Sequence, residues 1–140
     1  MDYQDSSCER KVFLIVDDDP DDCLFFIDAV KDIDLSFQCR IAINGEDALH
    51  KLRQEMKLLP DIIFLDLNMP RMNGMLCLTE LKKDKYLKHI PVVIFTTSSN
   101  PKDINETHLL GAVYFITKPH DFEKLRNEIT SAIEIAFSII

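Results

Sequence analysis

Two short apolar runs in this chain end in carboxylates. Val12-Phe13-Leu14-Ile15-Val16 runs into Asp17, Asp18 and Asp19, and Ile62-Ile63-Phe64-Leu65 runs into Asp66. Each run is continuous and bounded by polar residues, as expected of a strand buried on both faces of a parallel sheet. In open parallel sheets the functional crevice lies beyond the carboxyl ends of the strands. Two such strands side by side would therefore gather Asp17, Asp18 and Asp66 in one pocket. Carboxylates about 4 Å apart repel by roughly 4 kcal/mol per pair at an effective dielectric near 20. Such a group binds a cation, holds a proton or is offset by a lysine. Ile116-Thr117-Lys118-Pro119 closes a further apolar run and supplies the lysine. The pattern points to an acidic metal pocket with chemistry.

The elements that must position these residues alternate between strand and helix patterns. Residues 1–10 are polar and aperiodic, which predicts a frayed tail ahead of a single domain over 11–140. Strand one spans 11–17. Asp19-Pro20 supplies an N-cap and a first-turn proline for a helix over 20–32, with Leu24, Ile27, Ala29 and Val30 inward. Strand two covers 37–43, and a helix from Asn44 or Gly45 to about Met56 turns Ala48, Leu49 and Leu52 inward. Pro60 precedes strand three, 61–66, and the turn-forming segment Asn68 to Gly74 leads into a helix over 75–83. Pro91 opens strand four, Val92–Thr96. A polar helix near 101–110 ends at Gly111, strand five covers 113–117, and a last helix runs on from Asp121. Five β-α units with doubly buried strands imply a doubly wound parallel sheet with helices on both faces; right-handed crossovers leave few arrangements, of which the flavodoxin-like order 2-1-3-4-5 suits this length. Its switch point lies between strands one and three, where the acids end.

Bulk properties narrow the function. The 140 residues are 46% apolar and 29% charged, an ordinary balance for one globular domain. A net charge of −8 argues against nucleic acid or an anionic membrane as a direct partner. The cysteines, Cys8, Cys23, Cys39 and Cys77, show no C-x-x-C pair, so free thiols in a reducing cytoplasm are expected. No apolar stretch approaches the length of a membrane span.

The ordered set of Asp17-Asp18, Asp66 in Phe-Leu-Asp-Leu-Asn-Met-Pro, Gly74, Thr96 and Lys118-Pro119 resembles the receiver domain of two-component response regulators, over residues 11–137. The stretch Asp17 to Asp22 and the Phe-Thr-Thr-Ser-Ser segment beginning at Phe95 look like the small stand-alone regulators partnered with phytochrome-type histidine kinases. The resemblance implies a signalling domain rather than an enzyme. Asp66 would accept a phosphoryl group from a histidine kinase or phosphotransfer protein, and contacts with other proteins would carry the signal on. It implies Mg²⁺, or Mn²⁺ as its substitute, held by Asp18 directly, Asp17 largely through water, Asp66, and the backbone carbonyl of Asn68. Thr96 would donate its hydroxyl to a phosphoryl oxygen, and Lys118 would pair first with Asp66 and then with the phosphate. The Lys118-Pro119 bond is a candidate cis peptide. Many receivers carry a switching tyrosine three residues before the lysine; here that position is Phe115, beside Tyr114, so the outward hydroxyl is missing.

Plainer roles suit several neighbours. Asp19 reads as a helix cap, Asp21 and Asp22 as solvated acids favoured by the helix dipole, and Asp61 as a cap at the start of its strand. His50, His89, His108 and His120 share no ligand spacing. The competing enzyme reading is a haloacid-dehalogenase-type phosphatase with Asp17 as nucleophile and Asp19 as general acid. It lacks the expected Thr or Val at position 21 and any segment long enough for a cap. On the last helix, Leu125, Ile129, Ala132, Ile133, Ala136 and Ile140 form one core stripe. Ile135, Phe137 and Ile139 then remain as interface candidates for a homodimer built from this helix and strand five.

Overall fold

The computed structural model describes residues 11–138. Five strands form one parallel sheet: β1 (Val12–Val16), β2 (Gln38–Ala42), β3 (Ile62–Leu65), β4 (Val92–Thr96) and β5 (Tyr114–Thr117). Their spatial order is β2-β1-β3-β4-β5, as expected from the alternating pattern. Val16 lies opposite Ala42 on one side and Leu65 on the other, and Thr96 lies opposite Thr117. The strands therefore end together, on one rim of the sheet.

Alternate residues of the central strands feed two separate cores. Leu14, Val16, Ile63, Leu65, Val92 and Ile94 face one layer; Phe13, Ile15, Ile62, Phe64, Val93 and Phe95 face the other. Both faces are covered, which is why the runs are apolar without alternation. Helices α1 (Pro20–Ile33) and α5 (Phe122–Ser138) cover the phenylalanine side, where Phe26 meets Phe64 edge-on at 4.7 Å between ring centroids. Helices α2 (Gly45–His50) and α3 (Gly74–Lys83) cover the other. Helix α4 (Pro101–Leu109) buries only Thr107 and is capped by Asn100; Gly111, with φ +109°, then turns the chain into β5.

Three details depart from the sequence expectations. Leu24 is 60% exposed, and α1 instead buries Cys23, Phe26, Ala29 and Val30. The face that carries Leu24 also carries Asp28 and Lys31 at helical spacing, and burying those charges unpaired would cost more than wetting one leucine. The helix after Asn44 switches at Lys51 to a π-helical segment, Lys51–Glu55, closed by Met56 N–H donating to Lys51 C=O at 2.9 Å. Ala48, Leu49 and Leu52 point inward either way, so apolar spacing does not separate the two forms. On α5 the stripe Leu125, Ile129, Ala132, Ile133 and Ala136 is buried. Of the interface candidates, Phe137 is half-buried against its own domain, with the Lys11 ammonium 4.9 Å from its ring centroid, whereas Ile135 is 37% exposed. Ile139 and Ile140, like the tail 1–10, lie outside the described residues.

The open edge of β2 is shielded by its own following helix. Lys51 Nζ donates to Ile41 C=O at 2.8 Å, and Ile43 N–H donates to Asp47 at 2.9 Å. Cys23, Cys39 and Cys77 are free thiols, and burial pushes the pKa of Cys23 and Cys77 up to about 12. Among the described residues, no helix is long and apolar enough to cross a membrane.

Candidate functional site

Asp17 and Asp66 meet because their strands are neighbours in register. Asp17 N–H donates to Ala42 C=O at 2.9 Å, and Asp66 N–H donates to Val16 C=O at 3.0 Å. Both residues are buried, while Asp18 stands exposed on the rim. Asp17, Asp18 and Asp66 each offer a carboxylate oxygen within 4.8 Å of the others. Asp17 Oδ1 accepts from Asp19 N–H at 3.0 Å, and Asp66 Oδ1 accepts from Asn68 N–H at 3.3 Å. The chain then doubles back tightly: Gly74 N–H donates to Leu67 C=O at 3.1 Å, and a Cβ on residue 74 would lie 2.6 Å from Leu67 Cα. Glycine is required there because α3 starts against the backbone of the Asp66 turn.

Lys118 closes the pocket from β5. Its backbone N–H donates to Thr96 C=O at 2.7 Å, and its ammonium lies 2.7 Å from Asp17 Oδ2, 2.7 Å from Asp22 Oδ2 and 3.5 Å from Asp66 Oδ2. Burial disfavours the charged lysine, but contacts with Asp17 and Asp22 and the field of Asp66 outweigh it and hold its pKa above the ordinary lysine value. For Asp17 burial wins. Its pKa is raised despite the pull of Lys118 and of the Asp19 N–H. Every described peptide bond is trans, so the cis Lys118-Pro119 bond proposed from sequence is absent. Trans is the lower-energy form of an X–Pro bond, and Lys118 already reaches the acids with it.

Two buried oxygens lack a directed hydrogen bond among the described residues: Asp17 Oδ2 and Thr96 Oγ1. Asp17 Oδ2 has the Lys118 ammonium as counter-charge but no well-aligned donor. Thr96 ends β4, fully buried. Unsatisfied polar atoms of this kind are uncommon and ask for a partner. An all-oxygen donor set with two buried carboxylates and an open rim suits a hard divalent cation, and the residues present fit one.

Other positions resolve plainly. Asp19 accepts from Asp21 N–H and Asp22 N–H as the N-cap of α1, so its carboxylate is already engaged. Asp61 accepts from Val12 N–H at 2.9 Å. Phe115 is half-buried beside a groove of about 190 Å³ lined by Ile104, Thr107, His108 and Ala112. Asp22 is the residue that sequence reasoning misplaced. Expected in solvent, it forms an ion pair with Lys118 across 96 positions of sequence. Its one signal was adjacency to Cys23, which lies on the buried stripe of α1.

Residues 13–130 match the response regulator receiver domain family. Rcp1, a response regulator of Synechocystis sp., is 33% identical over 125 residues, covering 86% of this chain and 85% of that protein. A probable cyclic di-GMP phosphodiesterase of Vibrio cholerae is 31% identical over 121 residues; the match covers 86% of this chain and 26% of that longer protein. Among solved structures, the phosphorylated cyanobacterial phytochrome response regulator RcpA superposes with a TM-score of 0.82 at 31% identity, covering 94% of this chain and 96% of that one. An Mn(2+)-bound form of Rcp1 superposes with a TM-score of 0.76 at 30% identity, covering 86% and 90% respectively. With the family match over residues 13–130 and a sheet of the same strand order, this chain belongs to the response regulator receiver domains, the phosphoacceptor modules of two-component signalling.

Proposed function

We propose that Asp66 is the phosphoryl acceptor and that the chain passes the signal on by protein contact. The observation that carries this reading is the environment of the Asp66 carboxylate. It ends β3 almost buried, with one oxygen 3.5 Å from the Lys118 ammonium and the other accepting from Asn68 N–H. In the transfer, an Asp66 oxygen attacks phosphorus and the phosphorus–nitrogen bond to the kinase histidine breaks, its electron pair returning to the imidazole. Lys118 then exchanges a carboxylate partner for a phosphoryl oxygen. The unpartnered Thr96 hydroxyl donates to another, and Phe115 follows into the space that Thr96 leaves.

Asp18, Asp17, Asp66 and the Asn68 carbonyl would hold Mg²⁺, with Mn²⁺ able to replace it, as the Mn(2+)-bound Rcp1 suggests. A bound divalent ion screens the negative charge of both reactants and of the migrating phosphoryl group. Similarity to phytochrome response regulators favours a phytochrome-type histidine kinase as donor. The free thiols suit a cytoplasmic setting. Exposed Ile135 on α5 favours a symmetric homodimer through α5 and β5.

Acetyl phosphate with Mg²⁺ tests the acceptor. Intact-mass measurement should show one added phosphoryl group on wild type and none on Asp66→Asn. An adduct mapped to Asp17 instead would favour the phosphatase reading, which the engagement of Asp19 as a helix cap already disfavours.

A further inference from the structure

Asp22 has no part in the phosphoryl chemistry assigned above, yet it makes one of the two shortest contacts to Lys118. The ammonium is 2.7 Å from Asp22 and from Asp17, but 3.5 Å from Asp66. The Asp22 contact is a well-formed hydrogen bond, whereas the one to Asp66 is at the outer limit of such bonds. The Lys118 side chain is only 9% exposed and its ammonium is shared among three carboxylates, of which Asp22, 35% exposed, is the one that reaches toward solvent. Asp22 sits in the first turn of α1, whose backbone is anchored by the Asp19 cap and the Pro20 start.

We propose that Asp22 is a positioning residue: it gives Lys118 a counter-charge outside the acid trio, so that a divalent cation can displace the ammonium from Asp17 and Asp66. The inference rests on reading Asp17, Asp18 and Asp66 as a metal pocket. A cation among those three repels an ammonium that stands 2.7 Å from Asp17. Asp22 lies outside that trio and gives the displaced ammonium a counter-charge. Without Asp22, Lys118 settles on Asp17 and Asp66 and competes with the metal.

The test compares Mn²⁺ affinity, by proton relaxation of bulk water, for wild type, Asp22→Asn, Asp21→Asn, Lys118→Met and the double variant Asp22→Asn/Lys118→Met. Asp21 is exposed and one residue away, so it controls for charge alone. Asp22→Asn should weaken Mn²⁺ binding about fivefold, as expected of an ion-pair coupling at the upper end of the usual range. Asp21→Asn should lose less than about twofold, because a solvated charge is screened. In the Lys118→Met background the Asp22 effect should vanish, and Asp22→Glu should keep most of the wild-type affinity. Without metal, the NMR signal of Lys118 Nζ should move in Asp22→Asn and stay put in Asp21→Asn. An Asp22 effect that survives in Lys118→Met, equality of the two asparagine variants, or an unmoved Nζ signal would each overturn the proposal, as would wild type that binds no Mn²⁺. Failure of Asp66 to take a phosphoryl group, with this coupling intact, would remove the acceptor reading and leave the role of Asp22 standing.

Discussion

The backbone N–H of Lys118 donates to the carbonyl of Thr96 at 2.7 Å, which ties the pocket's cation to its unpartnered hydroxyl across adjacent strands. Through this bond a change at Thr96 would be passed to β5, the strand that carries Phe115.

Thr96→Ala should still accept a phosphoryl group at Asp66, because the hydroxyl is not the nucleophile. Stability should change by less than about 1 kcal/mol, since removing a buried hydroxyl without a partner offsets the lost packing. The readout is the chemical-shift response near Phe115 to beryllofluoride, a phosphoryl mimic. It should shrink strongly, and a full response in the variant would refute the coupling.

Lys118→Met should destabilise the metal-free protein by about 3–5 kcal/mol at neutral pH, because Asp17 and Asp66 lose their buried counter-charge. Lys118 has a raised pKa, so its contribution is fully present below the ordinary lysine value of 10.5. Asp17 is also raised above its ordinary 3.8, so its proton favours the folded state, and that stabilisation fades as pH climbs through the folded pKa. The deficit of the variant should therefore narrow as pH falls from 7 toward 4, and also on adding Mg²⁺. Urea titrations across that range give the answer; a deficit independent of both would contradict the electrostatic account.

Asp18→Ala should abolish phosphorylation and weaken divalent binding sharply, yet melt at the wild-type temperature or above in metal-free buffer. Asp18 is exposed and adds like charge beside two buried acids, so its loss relieves repulsion. A clearly lower melting temperature without metal would mean that the acid is structural.

Gly74→Ala should cost about 1–3 kcal/mol and slow phosphorylation, because the new methyl group meets the backbone of Asp66 and Leu67 rather than a side chain that can swing away. Thermal melting and the rate of acyl-phosphate formation are the measurements. A variant indistinguishable from wild type in both would show that the turn has slack.

Ile135→Glu should convert a dimer to a monomer without unfolding it, since residue 135 is exposed on α5 while its stripe neighbours are buried. Static light scattering at micromolar concentration reports the mass. A monomeric wild type, phosphorylated or not, would remove the dimer.

Much of this molecule is legible in one dimension because its signals are local. Doubly buried strands leave unbroken apolar runs, helix starts leave caps such as Asp19 and Asn44, and chain order with right-handed crossovers leaves few arrangements of the strand ends. In the flavodoxin-like order among these, Asp17, Asp18 and Asp66 converge. Three things awaited the tertiary structure. The rotation of α1 depends on which face can keep Asp28 and Lys31 out of the core, and it puts Leu24, expected inward, into solvent. The cover on Phe137 comes from Lys11, at the opposite end of the chain. The pairing of Lys118 with Asp22 depends on distances between a helix start and a distant strand end, and sequence spacing carries no information about such distances. Residue types and periodicity set which groups meet; the packed geometry of the site decided how one ammonium is divided among three carboxylates.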